Sequence, residues 1–293
     1  MSATKMMEVA SESALKAGNV NPEKVNSVIV GNVVQTATDA IYLARHVGLN
    51  VGIPIAAPAL TVNRLCGSGF QAIVSGAQEI MLGESSIVLV GGTENMSQAP
   101  YAVRGIRFGT KLGQELKLED TLWGGLTDSY TGLPMAITAE NLAKQYNISR
   151  QDCDDYALKT QTRWKIANDA GVFAAEMAPI TLKGKKGPET FEVDEHPRPQ
   201  TTPEILAKLP PVFKKDGTVT AGNASGVCDG AAALVLASEE AVKSQNLKPL
   251  ARLVSYGTSG FVCEINLRQG KKIALGTACI GGGQGMAVIV EKC

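Results

Sequence analysis

The stretch "ALTVNRLCGSGFQAIVSGAQEIMLGESSIVLVGGTEN", residues 59–95, carries the signal that decides the fold. Its first five residues read as a short strand. Residues from about 68 to 82 read as a helix, and "SSIVLVGGTEN" as a fully apolar strand ending in glycines. Strand, helix and strand in that order make a βαβ unit with parallel strands, hence an α/β layer. In the helix, Phe70, Ile73, Val74, Ala77, Ile80 and Met81 fall on one face. Between the first strand and the helix sits a cysteine, Cys66, inside "CGSG".

Outward from this unit the same pattern continues. Upstream, residues 3–17 read as a helix, "VNSVIVGNV" as a buried strand and residues 39–47 as a helix that includes His46. Downstream, from about 99 to 220, the periodicity loosens. Thr138 is placed to cap "AENLAKQYN", and Ser149 with Asp152 forms most of a capping box before "RQDCDDYALKTQTRWKIAND". A Pro-, Lys- and Gly-rich stretch follows, read as loop excursions over a core. "AAALVLA" and "LARLVSYGTSG" read as strands, with Ser238 capping "EEAVKSQN" between them. The tail "KKIALGTACIGGGQGMAVIVE" reads as two strands joined by a glycine turn.

Bulk composition narrows the function. Lys plus Arg and Asp plus Glu each number 28, so no basic field is available to hold a phosphate backbone, and nucleic acid is not an expected partner. No apolar run approaches the roughly 18 residues of a membrane span. The opening "MSATKMMEVASESALKAG" lacks a secretory apolar region, and Glu8 and Glu12 argue against a transit peptide. The six cysteines (66, 153, 228, 263, 279, 293) are dispersed without a CxxC, and the only histidines are His46 and His196. No metal site is expected, and free thiols fit a reducing compartment.

Two segments carry chemistry. At Cys66 a thiol between strand and helix meets unpaired N–H groups and the positive end of the helix dipole, both of which favour thiolate. Gly67 and Gly69 leave room for a substrate atom, as in a nucleophile elbow. The competing reading is a structural cysteine beside a helix start. Cys279 precedes "IGGGQG". That loop lacks G-K-[ST] and leads into a strand, which counts against a phosphate loop. Its alternative is a hairpin that brings backbone and thiol close to a ligand.

The motifs "NRLCGSGFQA", "GGTENMSQAPY", "MAITAEN", "DGTVTAGNASGVCDGAAALV" and "ACIGGGQG" resemble those of the thiolases, and do so in order along almost the whole chain. The likeness is greatest to the mitochondrial 3-ketoacyl-CoA thiolase and acetyl-CoA acetyltransferase group. It implies an α/β fold of two related halves with central sheets, plus a loop domain. The halves map to 1–98, closed by 221–248 after a loop domain at 99–220, and to a severely shortened 249–293. The implied function is acyl-CoA C-acyltransfer in fatty-acid metabolism. Cys66 would be the acyl-accepting nucleophile, Cys279 the proton donor and acceptor, and Gly281 a backbone donor to the oxyanion. CoA contacts carry over to Arg198, Thr201 and Ser225, with Phe213 and Met135 along the pantetheine. Read unaided, Arg198 is a solvated loop residue and His196 loop surface. No cofactor is implied beyond CoA and acyl-CoA as substrates. The expected partners are a second copy of the chain or a full-length thiolase. The compartment implied is the mitochondrion, the cytoplasm being the alternative.

Two family motifs are not in the sequence: the "GHP" histidine that activates the thiol, and the "NEAF" asparagine that holds a water. Between Gly260 and Cys279 there is no room for the missing strands and helices, since one βαβ unit needs roughly 30 residues. The family's opening strand also has no counterpart, and its expected place is the middle of the first sheet. Unpaired ladder groups or a rearranged pairing would follow.

Overall fold

The computed structural model describes residues 1–184, 187–260 and 272–293. They form two compact units, Met1–Leu122 with Asp229–Cys293, and Trp123–Cys228.

The first unit is built on two sheets that share one helix. Helix α1 (Ala3–Ala17) starts at Ser2, whose hydroxyl accepts the Lys5 N–H. Strand β1 (Ser27–Gly31) is buried along its whole length. Helix α2 is Leu43–Asn50, preceded by a 3-10 turn at Ala40–Tyr42, so the helix expected at 39–47 starts later and ends later. Strand β2 (Ala59–Val62) pairs parallel to β1, and β3 (Ile87–Asn95) pairs parallel on its other side. Strand β4 (Asp229–Ala237) closes the order β4-β3-β1-β2, antiparallel to β3.

The apolar runs "VIV" and "IVLV" follow from cover on both faces. Val28, Val30, Ile87 and Leu89 point toward Met7, Leu15, Leu43 and Val47 of α1 and α2. Ile29, Val88 and Val90 point the other way, toward Ala72 and Ile73 of helix α3 (Ser68–Met81). The sheet has no unpaired interior gap: β3 pairs directly with β1, the outcome expected of a rearranged pairing.

A second, antiparallel sheet lies on the opposite side of α3. Its order is β5-β7-β6, from β5 (Ala251–Ser259), β6 (Ile273–Ile280) and β7 (Gln284–Lys292). Val74 and Phe70 of α3 pack against Ile280, Met286, Val288 and Leu253. The single apolar face expected for this helix is therefore two faces, and Met81 is 76% exposed. Of the stretch between Gly260 and Cys279, residues 261–271 lie outside the described residues.

In the second unit, α4 spans Met135–Tyr146 and α5 Arg150–Asp169. Helix α4 begins three residues before Thr138, because Pro134 takes the capping position and Leu126 O accepts the Met135 N–H. Thr138 is thus inside the first turn, not its cap. The capping box at Ser149 and Asp152 is present in full. Further regular structure in this unit includes a short pairing of Thr127–Asp128 with Leu133–Pro134, a hairpin of Ile180–Gly184 with Gly187–Phe191, and helix α6 (Pro203–Lys208).

Candidate active site

The corner at Cys66 is a tight, locally bonded turn. Leu65 has φ 48°, the left-handed region that a non-glycine residue rarely enters. Its N–H is held by Asn63 Oδ1 at 2.9 Å. The Arg64 N–H reaches Ser68 Oγ at 2.9 Å, and the Ser68 hydroxyl donates to Leu65 O at 2.7 Å. The N–H groups of Gly67 and Ser68 close back onto the carbonyls of Arg64 and Leu65. These bonds turn the chain out of β2 and into α3 and leave Cys66 exposed at the apex. Beneath the turn, Gly31 at the end of β1 seats the start of α3: a Cβ there would lie 2.7 Å from the Ser68 carbonyl carbon.

Cys279 is also exposed, at the end of β6. Gly281, Gly282 and Gly283 make the turn into β7, with φ 73° and 71° at the last two, conformations that suit glycine. The two cysteine-bearing segments meet. Gly67 is so close to Ile280 that a Cβ on it would lie 2.3 Å from Ile280 Cδ1. The Arg64 side chain spans the same junction. Its Nε donates to Gln71 Oε1 at 2.7 Å and its Nη1 to Gln284 Oε1 at 3.4 Å. Gln284 in turn donates to Gly281 O at 3.5 Å, a long contact.

A third segment is fixed at the end of the first sheet. Glu94, from the "GGTEN" run, accepts the N–H groups of Val33 and Val34 and the Asn32 amide, each at 3.0 Å. Burial pushes its carboxyl above the ordinary value, against those hydrogen bonds, which favour the charged form. Sequence reading gave Glu94 no role, since its partners lie about sixty residues away.

The two histidines sit elsewhere. His46 on α2 stacks on Tyr42, with ring centroids 5.3 Å apart, and its Nδ1 is 3.8 Å from Asp39 Oδ2. His196 belongs to the second unit and covers Gly226, where a Cβ would lie 1.9 Å from its ring. It is thus a packing partner of the loop that carries Ser225, a contact that its reading as loop surface missed.

The remaining candidates are all in the second unit. Arg198 curls over its own loop, its guanidinium donating to the carbonyls of Glu195, His196 and Pro197. Its backbone N–H is held by Gln161 Oε1 at 2.7 Å, and Thr201 donates its hydroxyl to Arg198 O at 2.6 Å. Ser225 is exposed. Phe213 stacks nearly parallel on Trp123, with centroids 6.2 Å apart. Met135, the first residue of α4, is 41% exposed. Trp123 escaped sequence reading, because nothing local marks it as the partner of a phenylalanine ninety residues on. Among the described residues, no group of three His, Cys, Asp or Glu is placed to hold a metal, and no helix is long and apolar enough to cross a membrane.

A strand–cysteine–helix corner set against a second cysteine and a glycine turn, on a layered α/β frame, defines a class. Residues 1–240 match the family described as thiolase, N-terminal domain, and the chain belongs to the thiolase family. It is 53% identical to the mitochondrial 3-ketoacyl-CoA thiolase of Bos taurus over 366 aligned positions, covering 99% of this chain and 92% of that one. To the Homo sapiens protein of the same name it is 67% identical over 258 residues, covering 88% of this chain and 65% of the relative, just under two thirds of its length. The crystal structure of human mitochondrial 3-ketoacyl-CoA thiolase in complex with CoA superposes with a TM-score of 0.94, at 50% identity, over 100% of this chain and 93% of that one. The bovine alignment is longer than the 293 residues available here, so that relative carries at least 73 residues inside the aligned span that this chain lacks.

Proposed function

We propose that this chain is an acyl-CoA C-acyltransferase of the thiolase class in its binding and acylation chemistry, shortened in a way that removes full turnover. The observation that carries the reading is the meeting of the Cys66 corner with the Cys279–Gly281 turn through Gly67 and Ile280. In the acylation step, Cys66 Sγ attacks the thioester carbonyl of an acyl-CoA. The Cys66 S–C bond forms, the bond to the CoA sulfur breaks, and CoA leaves as its thiol once the Cys66 proton has passed to it. Gly281 would donate its backbone N–H to the oxyanion, and Cys279 would move the α-carbon proton in the carbon–carbon step.

Arg198, Thr201 and Ser225 would hold CoA, with Phe213 and Met135 along its apolar arm. A guanidinium suits a phosphate, and a hydroxyl suits an amide. The family's activating histidine and water-binding asparagine have no counterpart in the sequence. By analogy with the removal of a base from other nucleophilic sites, their loss costs on the order of 10³- to 10⁶-fold in rate. The second reading, favoured by that absence, is a non-catalytic CoA-binding protein that pairs with a second copy or a full-length thiolase. The names of its relatives support a mitochondrial setting, the cytoplasm being the alternative.

The deciding experiment is thiolysis of acetoacetyl-CoA by the purified chain beside Cys66→Ala. We expect no turnover from either, with a stoichiometric acyl adduct on Cys66 in the unmodified chain only. Turnover that vanishes in Cys66→Ala would mean that another group serves as base. No adduct, with CoA still bound, would favour the non-catalytic reading.

A further inference from the structure

Two buried carboxylates from neighbouring helices converge on one loop of the second unit. Glu140 of α4 is 3% exposed. It accepts the N–H of Thr218 at 2.9 Å from each oxygen, the N–H of Val219 at 2.8 Å and the Thr218 hydroxyl at 3.1 Å. Gly217 leaves it space, since a Cβ there would lie 2.4 Å from Glu140 Oε1. Asp154 of α5 accepts from Asn223 Nδ2 and from Arg150 Nε, each at 2.8 Å. Asn223 then closes the loop on itself, donating to Thr218 O and accepting the Thr220 N–H, both at 2.8 Å.

Buried anions are tolerated only where donors meet them, and here the 218–223 loop supplies most of those donors, from the backbone of Thr218 and Val219 and the side chains of Thr218 and Asn223. The loop leaves this anchorage as Asn223-Ala224-Ser225-Gly226, and His196 covers its last residue. Two helices thus fix the backbone from which Ser225 projects.

We infer that Glu140 is a positioning residue for CoA binding: it holds the 218–223 loop so that the Ser225 hydroxyl is presented to the ligand. The inference rests on the reading of Ser225 as a CoA contact. Glu140 itself, beneath the loop, touches no ligand.

Glu140→Gln keeps the side-chain shape but turns an amide donor toward N–H groups that need an acceptor. Amide exchange at 218–226 is expected to quicken at least about tenfold, and the dissociation constant for coenzyme A to rise about tenfold, on the scale of one lost charged hydrogen bond. Alkylation of Cys66 by iodoacetamide, in the other unit, should keep its rate. Ser225→Ala should weaken CoA binding in the unmodified chain but by less than about twofold in the Glu140→Gln background, because both act through one loop position. Should Glu140→Gln not fold, Thr218→Ala removes a single donor, and a smaller change in the same two readouts is expected. Unchanged exchange at 218–226, or additive effects of Glu140→Gln and Ser225→Ala, would overturn the proposal. Failure of the unmodified chain to bind CoA would overturn the CoA reading of the loop, while the exchange measurement still decides whether Glu140 holds it.

Discussion

Gly67 lies against Ile280, and each of them directly follows one of the two cysteines of the candidate site. The corner after β2 and the turn after β6 come from sequence positions more than two hundred residues apart. What joins them is α3, which packs one flank on the parallel sheet and the other on the antiparallel one. The glycine is thus the point where the first sheet, through its helix, meets the second.

Substituting that glycine should strain the junction. In Gly67→Ala the new methyl overlaps Ile280 Cδ1, the end of a side chain that can rotate. Overpacking of this kind costs about 1–2 kcal/mol. Ile280→Val removes the obstructing methyl, so the double variant should recover most of the loss. Gly31→Ala meets the backbone of Ser68 instead, which cannot move aside, and should cost about 3 kcal/mol or more with no rescue from Ile280→Val. Hydrogen exchange on α3 and β6 reads all four variants. Equal effects of Gly31→Ala and Gly67→Ala would contradict the contrast between rigid and flexible neighbours.

Glu140 should shape the acid limb of stability in the second unit. Burial opposes its charge, but the N–H groups of Thr218 and Val219, the Thr218 hydroxyl and the charge of Lys214 outweigh burial and hold the carboxyl below its ordinary 4.5. The folded value is lower than the unfolded one. Its contribution is therefore complete above about pH 4.5 and is lost as the pH falls through the folded value. Both tryptophans, Trp123 and Trp164, lie in this unit, so fluorescence follows its unfolding. Urea midpoints between about pH 3 and 7 should fall with acid in the unmodified chain and less steeply in Glu140→Gln. Parallel slopes would mean that Glu140 does not carry the effect.

Arg198 offers a salt-sensitive test of the CoA reading. Arg198 is exposed and, among the described residues, its guanidinium donates to carbonyls of its own loop, so it can be redirected to a phosphate at little structural cost. Arg198→Ala should weaken CoA about tenfold at low salt. The difference should shrink as ionic strength rises, since exposed charges are screened. Phe213→Ala should weaken CoA with no such salt dependence, because what it loses is the apolar ring stacked on Trp123. A salt-independent loss in Arg198→Ala would argue against a phosphate contact.

Much of the frame was legible because it is local. The run "VIV" announces a strand covered on both faces, and "IGGGQG" between two apolar stretches announces a hairpin. Both cysteines could be singled out from the glycines beside them. What was not legible depends on partners distant in sequence. The two flanks of α3 have different sheets to face, so small residues such as Ala72 and Gly76 belong to buried surface that a single-stripe reading overlooks. The place of a further strand depends on which strands pair, and that pairing joins β3 to β4 across more than 130 residues. Glu94 and Glu140 look like surface carboxylates until the N–H groups that face them are known.

Leu65 supplies a last test, of strain at the corner itself. A leucine at φ 48° sits in the left-handed region at a penalty of roughly 1–2 kcal/mol, and only the bonds around Asn63, Arg64 and Ser68 keep it there. Its side chain is only about one third exposed, so the apolar surface it buries, worth on the order of 1–2 kcal/mol, is comparable to that penalty. Leu65→Gly should therefore leave the first unit within about 1 kcal/mol of its original stability, the relief of backbone strain being offset by the lost burial and by the entropy of a glycine in the unfolded chain. Leu65→Val, branched at Cβ, should lose about 1 kcal/mol or more. If the strained turn also sets the aim of Cys66, its alkylation by iodoacetamide should become less uniform in Leu65→Gly, with a spread of rates in place of a single exponential. A large loss of stability in Leu65→Gly would mean that the leucine side chain, and not the backbone turn, is what holds the corner.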